Sequence, residues 1–435
     1  MLDAALASGA ASERAVFEVF ARGLPPGRRY GVVAGLGRLI AALDHFRFAR
    51  ADLDWLAREG VVSSRAIEWL AGFRFSGHVD AYPEGECYFP HSPVLTVESS
   101  FGEAVLLETL ALSVLNFDSA VASAAARMVD VAAGRPIVEM GSRRIHEEAA
   151  VAAARAAVLA GFASTSNLAA GRRYGLPTAG TAAHAFTLAH ADEEMAFRAQ
   201  IDALGIGTTL LVDTYDIPRG IEAAVAAARA RGASGPGAVR LDSGDLVTLA
   251  REARAHLDRL GATATRIVVS SDLDEEALAV LAGAPVDTYG VGTRVVTGSG
   301  APTAGFVYKL VAVGDGAERD LRAVAKRSLD KESAGGRKRA VRLCDGDGVA
   351  RAELLLLDGE EPAVPPGWTA RPLQQRYVEA GEIRARATPA AQVDAARTRL
   401  RRSLDELAPE ARSCAPGPPA LFARSAPEVG APVQS

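Results

Sequence analysis

Short apolar runs alternate with alanine-rich segments of helical spacing through the middle of the chain. Repeated strand–helix units imply a parallel sheet with right-handed crossovers. With about seven or eight strands, a closed or irregular (β/α) barrel is favoured over an open sheet. The predicted strands are Pro136–Met140, Gly161–Ser164, Thr208–Asp213, Ala238–Asp242, Arg266–Ser270, Asp287–Val291 and Val307–Val311, and the helices between them are Glu147–Ala160, Glu193–Leu204, Ile221–Arg231, Leu246–Leu260 and Asp274–Leu281.

The pattern changes on both sides of this repeat. A long helix is predicted from Phe101 to about Ala133, after a mixed α+β region. Beyond about residue 313 the alternation stops, and Val341–Leu357 predicts short strands of an appended sheet, with a helix at Pro389–Leu407. The predicted domains are 1–133, an α+β domain with the linking helix; 134–313, a (β/α) barrel carrying the active site; 314–408, a β-rich and helical extension; and 409–435, a flexible tail.

Composition narrows the class of protein. The 435 residues are 49% hydrophobic and 23% charged, as in ordinary soluble globular proteins. A net charge of −5 argues against a general nucleic-acid or membrane-surface binder. Cys87, Cys344 and Cys414 lie far apart and form no C-x-x-C pair, so a disulfide framework or zinc knuckle is not indicated and a reducing cytoplasm fits. No secretory signal is visible, and the apolar stretch Ala104–Leu115 is shorter than the roughly 20 residues of a membrane span.

Anion-binding groups follow several predicted strands. Functional residues of a parallel barrel gather at the C-terminal ends of its strands. The turn at 290–293 offers backbone N–H groups and the Thr293 hydroxyl to a phosphate. Arginines can hold phosphates or a carboxylate through forked hydrogen bonds. Those at the predicted strand ends are Arg143, Arg144, Arg240 and Arg294.

Carboxylates occupy the same predicted edge. Asp213, Asp242 and Asp245 can hold Mg²⁺, often through water, or bind ribose hydroxyls. No block of histidine and cysteine suggests zinc. This rim therefore indicates a site for a phosphorylated sugar, Mg²⁺ and an anionic partner.

The segment Tyr174–Phe186 places one histidine among small residues, after Gly180 and Thr181. A neutral imidazole is a nucleophile and a base near neutral pH. We therefore predict that His184 is the chemical centre of the site. The alternative is a histidine that only begins a helix.

The other candidate residues could also have purely structural roles. Asp245, Asp272 and Asp274 could each cap the helix that follows. Arg143 and Arg144 could begin a solvated helix. The basic segments 325–331 and 335–343 could form a solvated surface. The coincidence of arginines, hydroxyls and carboxylates at nearly every strand end is harder to explain by structure alone.

An ordered series of motifs then indicates a family. The motifs are EMGSRR, FASTSN, GTAAHAF, LLVDTYD, VRLDSGDL, SSDLDE, YGVGT and AKRS followed by GGRK. On these motifs the sequence resembles the nicotinate phosphoribosyltransferases from about Ala15 to about Leu407, with the nicotinamide enzyme as a more distant relative. The resemblance implies a type II phosphoribosyltransferase fold, an irregular (β/α) barrel with an N-terminal α+β domain and a small C-terminal extension. It also implies a cytoplasmic enzyme, usually a homodimer with sites at the subunit interface.

The resemblance implies a reaction of NAD biosynthesis. Nicotinate and 5-phosphoribosyl diphosphate give nicotinate mononucleotide and diphosphate. ATP is a co-substrate, its hydrolysis drives the reaction through a phosphohistidine, and Mg²⁺ assists. The enzyme would thus be an ATP-dependent ligase that forms a C–N bond.

Residue roles follow from the matched motifs. His184 occupies the position of the phosphorylated histidine in GTAAHAF. Thr181 and Arg240 match nicotinate-binding positions, and Thr293 a phosphate-binding position for the phosphoribosyl donor. The further substrate-binding candidates are Arg144, Asp242, Gly244 and Gly292, and the metal candidates are Asp213 and Asp245.

Two departures from the family pattern leave alternatives open. Family members usually begin with a segment like TDLYELTM whose tyrosine stacks on the nicotinate ring, whereas Met1 stands here at that segment's methionine. Either the start is placed too late, or the chain is truncated and binds nicotinate poorly. Arg294 stands where a small hydroxyl residue is common, so a different phosphate pocket is expected.

Three other functions remain as alternatives: an impaired or regulatory homologue without the stacking tyrosine, a nicotinamide-specific phosphoribosyltransferase, and a generic barrel lyase. Against the amide enzyme, Arg240 would favour a carboxylate, because its charge would otherwise lack a partner.

Overall fold

The computed structural model describes residues 1–314, 321–325, 335–384 and 386–425. Its contacts divide the chain into two compact units, Met1–Ser123 with Thr303–Ser435, and Ala124–Pro302. This grouping differs from the predicted order of four domains, because residues from Thr303 onward pack with the N-terminal residues rather than forming a separate extension.

The described residues form helices and strands, with a 3₁₀ turn at Ala10–Ser12. The helices are α1 (Leu2–Ser8), α2 (Leu36–Asp44), α3 (Arg50–Arg58), α4 (Ser64–Ala71), α5 (Phe101–Leu106), α6 (Glu108–Val131), α7 (Glu147–Leu159), α8 (Leu168–Tyr174), α9 (His184–Leu188), α10 (Glu193–Leu204), α11 (Ile217–Arg229), α12 (Leu246–Arg259), α13 (Glu275–Leu281), α14 (Thr293–Val296), α15 (Pro389–Asp405) and α16 (Pro409–Arg412). The strands are β1 (Arg14–Ala21), β2 (Gly31–Val32), β3 (His78–Ala81), β4 (Cys87–Tyr88), β5 (Leu95–Ser100), β6 (Ile137–Glu139), β7 (Ser164–Thr165), β8 (Thr209–Leu211), β9 (Ala238–Leu241), β10 (Arg266–Ser271), β11 (Thr288–Val291), β12 (Phe306–Gly314), β13 (Arg322–Ala323), β14 (Lys338–Cys344), β15 (Ala350–Leu357), β16 (Thr369–Pro372), β17 (Gln375–Glu379), β18 (Glu382–Ile383) and β19 (Ala423–Ser425).

The central unit, Ala124–Pro302, is built on a parallel sheet of strand order β7-β6-β11-β10-β9-β8. Helices follow each of these strands, so apolar runs such as Ile267–Val269 are buried on both faces and read as continuous rather than alternating. Aspartates begin several of these helices by accepting a backbone N–H, as Asp216 does for α11 and Asp274 for α13. The parallel arrangement brings the C-terminal ends of all six strands to one edge.

The prediction that the seventh strand belongs to the barrel was wrong. Val307–Val311 lies in β12, which pairs antiparallel with β1, with Val19 opposite Tyr308. This strand belongs to the other unit, in a seven-stranded sheet of order β13-β12-β1-β5-β3-β17-β18. An apolar run indicates a strand but does not name its neighbour, which explains the error.

The appended sheet predicted for the C-terminal region is present, in the order β16-β14-β15-β19. Strand β19 pairs parallel with β15, with Leu354 opposite Arg424. Part of the predicted flexible tail is therefore ordered, because its backbone completes this sheet. The basic segment at 335–343 is not the solvated surface considered above, since the buried Lys338 ammonium lies 2.9 Å from the Glu18 carboxylate. Residues 326–331 of the other basic segment lie outside the described residues.

A buried ionic cluster lies within the unit formed by Met1–Ser123 and Thr303–Ser435. The Arg342 guanidinium, fully buried, donates to Glu86 at 2.7 Å and to Glu353 at 2.9 Å, and Arg371 donates to Glu86 at 2.8 Å. Burial opposes the charge, yet the two carboxylates hold the pKa of Arg342 above its ordinary value. The ion pair between Arg342 and Glu86 thereby joins residues that are some 250 positions apart in the sequence.

Arg342→Ala is expected to lower the free energy of unfolding by about 3–5 kcal/mol, because the fully buried Glu353 carboxylate loses the arginine that pairs with it, while Glu86 keeps Arg371. Arg351→Ala, which removes a half-exposed guanidinium paired with Asp345, is the matched control and is expected to change it by less than about 1 kcal/mol. Urea unfolding of both variants measures the difference. Equal losses would show that the buried pairing adds no stability.

One helix of the described residues, α6, is long and apolar enough to cross a membrane by length and composition alone. Most of its apolar window, 67%, is buried inside the protein, as in the core helix of a soluble protein.

Candidate active site

A polar cavity of about 490 Å³ opens at the C-terminal edge of the parallel sheet. It brings together the residues that follow β6, β7, β9, β10 and β11, together with the segment before α9. Of the predicted site residues, Thr181, Arg240, Asp242, Arg144, Gly292 and Thr293 line it. The full lining is Met140, Ser142, Arg143, Arg144, Ser166, Gly180, Thr181, Ala182, Ala183, Arg240, Asp242, Ser270, Ser271, Asp272, Gly290, Gly292 and Thr293.

Arg240 is held by three hydroxyl or carboxylate oxygens in one wall of the cavity. Its Nε donates to Ser270 Oγ, its Nη1 to Thr181 Oγ1 and its Nη2 to Asp242 Oδ1, each at 2.6 Å. Ser270 Oγ also donates to Asp242 Oδ1 at 2.5 Å. The guanidinium is 11% exposed, so it is fixed in one orientation and still faces the cavity.

This network changes one argument made from the sequence. Asp242 already neutralises Arg240, so the guanidinium is not an unpaired charge waiting for a carboxylate. Arg240 and the Thr181 hydroxyl therefore offer a ligand hydrogen-bond donors in fixed positions rather than an unpaired positive charge. The sequence places Ser270 among the hydroxyls at the strand ends, but a serine there gives no sign that it orients an arginine.

His184 lies beside this cavity rather than in its lining. It is the first residue of α9, and Ala182 and Ala183 before it do line the cavity. Its Nδ1 lies 3.1 Å from Thr214 Oγ1 and its Nε2 lies 4.0 Å from Asp213 Oδ1. With 42% of its side chain exposed, the imidazole is accessible to a ligand.

Asp213 connects the imidazole to the arginine network. Its side chain is only 3% exposed, and its Oδ2 accepts the Asp242 backbone N–H at 2.6 Å. Its Oδ1 is buried and makes no hydrogen bond. Of the three residues predicted to bind nicotinate, the donor phosphate and the phosphoryl group, Arg240 and Thr293 line the cavity, whereas His184 does not.

Asp245 does not resemble a metal ligand here. Its carboxylate accepts the Thr248 hydroxyl at 2.7 Å and the Thr248 N–H at 3.3 Å, and so begins α12. The hydrogen bonds from Thr248 hold the pKa of Asp245 below its ordinary value. The helix-capping alternative is thus what the structure contains. Across the parts of the chain that are described, no group of three histidine, cysteine or acidic side chains is arranged to hold a metal ion.

Two of the predicted site residues are glycines in turns that follow strands of the parallel sheet. Gly292 precedes α14, and a Cβ there would lie 3.3 Å from the Met140 carbonyl oxygen. Gly244 adopts a φ of +90° in the turn between β9 and α12, which favours glycine. Gly244 is outside the cavity lining, so its contribution is to the turn. Arg294 also lies outside, half-exposed and 3.8 Å from Asp274.

Comparison with known proteins decides the family. Residues 1–116 match the family model described as the nicotinate phosphoribosyltransferase N-terminal domain, and residues 136–343 match the nicotinate phosphoribosyltransferase family. The chain is 55% identical over 435 residues to nicotinate phosphoribosyltransferase pncB1 of Mycobacterium tuberculosis, covering 98% of this chain and 93% of that protein. The chain belongs to the nicotinate phosphoribosyltransferase family. It is therefore an enzyme with the function of that family, and the resemblance read from the motifs is confirmed.

Further relatives of this nicotinate phosphoribosyltransferase family agree. The Bacillus subtilis enzyme is 38% identical over 340 residues, covering 77% of this chain and 69% of that protein. The crystal structure of human nicotinic acid phosphoribosyltransferase matches with a TM-score of 0.81 at 27% identity, over 97% of this chain and 96% of that one. A nicotinate-nucleotide pyrophosphorylase from Pyrococcus furiosus matches in fold with a TM-score of 0.73 at 23% identity, over 92% of this chain and 93% of that one. The predicted type II phosphoribosyltransferase fold is confirmed.

Proposed function

We propose that the enzyme joins nicotinate to 5-phosphoribosyl diphosphate in the cavity of the central unit and couples the reaction to ATP through His184. The observation that supports this proposal is a single cavity lined by two different sets of anion-binding groups, which we call its two walls. One wall holds the fixed Arg240 guanidinium with Thr181, and the other holds Arg143, Arg144 and the turn at Thr293. A carboxylate-bearing ring and a phosphorylated sugar could be held side by side there.

The proposed reaction develops charge on the phosphoribosyl donor, which explains why both walls would be used. Breaking the anomeric C–O bond builds positive charge on the ribose and negative charge on the departing diphosphate. Fixed donors that meet such charge as it develops lower the barrier. Arg143 and Arg144 are placed to stabilise the departing diphosphate, while Arg240 and Thr181 orient the carboxylate of nicotinate.

The proposed role of His184 rests on its surroundings. The imidazole is partly exposed at the start of α9, next to two alanines that line the cavity. Asp213 beside it also accepts the Asp242 backbone N–H, and Asp242 binds Arg240. A phosphoryl group on His184 would place new negative charge near Asp213, which gives a physical route from ATP use to the nicotinate wall.

Mg²⁺ is the cation implied by the diphosphate chemistry. Asp213 fits it, because its Oδ1 is a buried carboxylate oxygen without a hydrogen-bond partner. Asp245 fits poorly, because both of its oxygens are used at the start of α12. When bound, Mg²⁺ would neutralise phosphate oxygens, and Asp213 would hold it with water and the substrate supplying the remaining ligands.

A homodimer and a cytoplasmic location are part of the proposal. Large apolar side chains are exposed on the central unit close in sequence to the site residues, which is typical of a surface that another protein covers. A second copy of the chain is the proposed partner. Free thiols at Cys87, Cys344 and Cys414 fit a reducing compartment. The exposed apolar residues are Leu168, Leu188, Met195 and Tyr215.

The proposal is tested by a competition assay between nicotinate and nicotinamide, with 5-phosphoribosyl diphosphate, Mg²⁺ and ATP present. The expected kcat/KM for the acid exceeds that for the amide by at least about 100-fold, because the fixed donors meet two carboxylate oxygens. Omitting nicotinate is expected to suppress phosphate release from ATP, and EDTA to stop both reactions. Preference for the amide would support the nicotinamide-specific alternative, and absence of any mononucleotide would support the impaired homologue.

A further inference from the structure

Glu139 is a buried carboxyl group at the edge of the cavity that the sequence did not single out. It is the last residue of β6 and is 0% exposed, directly before Met140 in the cavity lining. One oxygen accepts the backbone N–H of Gly141, and the other accepts the Thr165 hydroxyl at 2.5 Å. Its backbone carbonyl accepts the Ser166 N–H at 2.8 Å. One residue thus binds the turn after β6 and the turn after β7.

A second set of hydrogen bonds closes the link between these turns. Thr165 Oγ1 accepts the Asn167 N–H at 2.9 Å, and the Asn167 amide donates to Ser142 Oγ at 2.9 Å. Ser142 and Ser166 both line the cavity. The two turns therefore form one hydrogen-bonded ring, with the Glu139 carboxyl group in its centre.

The turn after β6 has little freedom to move independently. A Cβ on Gly141 would lie 2.2 Å from Val296 Cγ1 and 2.9 Å from the Gly292 carbonyl oxygen. The Arg144 N–H donates to the Gly141 carbonyl at 2.9 Å. The placement of Gly141 therefore determines where Arg144 stands relative to the turn that carries Thr293.

Stability alone does not account for this carboxyl group. No lysine or arginine of the described residues forms an ion pair with it, and burial raises its pKa, while the hydrogen bonds from Thr165 and Gly141 lower it. Burying an acid without a cation is unfavourable compared with burying an apolar residue. The group is better explained by what it holds in place.

We propose that Glu139 is a positioning residue for the phosphoribosyl donor, acting through Gly141 and Thr165 to set the arginine-bearing turn against Thr293. This inference rests on the proposed phosphate role of that wall. Glu139 touches no substrate in this account. Its effect is expected on binding of the donor and not on binding of nicotinate, whose wall is built from β9, β10 and the segment before α9.

The test compares Glu139→Gln with Glu147→Gln, an exposed glutamate at the start of α7. The expected result for Glu139→Gln is a KM for 5-phosphoribosyl diphosphate raised by roughly 10- to 100-fold, because the turn and its arginines shift. The KM of Glu139→Gln for nicotinate is expected to stay within about twofold of the wild-type value. For Glu147→Gln, the KM values for nicotinate and for the donor are both expected to stay within about twofold of wild type. Thermal unfolding of each variant accompanies the kinetics.

A second pair of variants separates positioning from folding. Thr165→Val removes the hydroxyl between Glu139 and Asn167 and is expected to raise the same KM, while Thr165→Ser keeps the hydroxyl and is expected to restore it. Three outcomes would overturn the inference. The first is an equal change in the KM for the donor and the KM for nicotinate, and the second is an unchanged donor KM in folded Glu139→Gln. The third is that neither Glu139→Gln nor Thr165→Val folds. Arg144→Ala is measured alongside these variants. If Arg144→Ala leaves the KM for the donor unchanged, the proposed phosphate wall itself is wrong. If Arg144→Ala raises that KM while Glu139→Gln leaves it unchanged, only the positioning role of Glu139 is rejected.

Discussion

Replacing His184 with alanine is expected to abolish the coupling of ATP hydrolysis to mononucleotide formation. The imidazole is the proposed acceptor of the phosphoryl group, and it lies beside the cavity with 42% of its side chain exposed. Removing such a nucleophile is expected to lower nicotinate-dependent phosphate release from ATP on the order of 100-fold or more. The measurement is parallel quantification of phosphate and nicotinate mononucleotide, with acid-labile protein phosphate measured after exposure to labelled ATP.

The matched control is His190→Ala, on the same segment, where the ring contacts the Phe186 backbone carbonyl at 2.7 Å. It is expected to keep coupled turnover within about threefold of the wild type. A His184→Ala enzyme that still forms product with one ATP consumed per turnover would remove the imidazole from the mechanism.

Replacing Arg240 with alanine is expected to lower kcat/KM for nicotinate on the order of 10²- to 10³-fold. The substitution removes three hydrogen bonds of 2.6 Å and leaves the partly buried Asp242 carboxylate without its cation. Arg240→Lys is expected to recover less than about a tenth of the activity, because an ammonium cannot meet Thr181, Ser270 and Asp242 in one plane. Initial rates at varied nicotinate and saturating donor give the values.

Arg231→Ala serves as the control for Arg240, since its guanidinium is exposed and paired with Asp202 at the surface. It is expected to leave kcat/KM within about twofold. If Arg240→Ala instead raised only the KM for the phosphoribosyl donor, the assignment of the two walls would have to be exchanged.

The sequence predicts the central unit well for a physical reason. Strands buried on both faces form continuous apolar runs, so the six strands of the parallel sheet could be located from residue 136 to residue 291. Parallel strands must end at one edge, so Arg240 and Thr293 could be placed in one site without coordinates. The roles of these residues came from the family resemblance and stay predictions until they are measured.

What could not be predicted depends on side-chain partners. A carboxylate after a strand can bind metal or begin a helix, and only the Thr248 hydrogen bonds distinguish the two for Asp245. Glu139 looks like an ordinary strand residue, although its carboxyl group joins two turns. Lys338 looks like part of a solvated basic run, although Glu18, more than 300 positions earlier, buries it. Such pairings are set by tertiary contacts that residue spacing does not encode.

The pairing of β1 with β12 has a consequence for synthesis on the ribosome. Phe17 lies opposite Leu310, so β1 leaves the ribosome long before its partner is translated. At about 5–20 residues per second, that interval is roughly 15–60 s. The central unit is synthesised within this interval, but its strand β11, which pairs with both β6 and β10, is translated only shortly before β12. The nascent N-terminal segment meanwhile exposes an apolar edge, and shielding it until the later strand emerges is a task for chaperones.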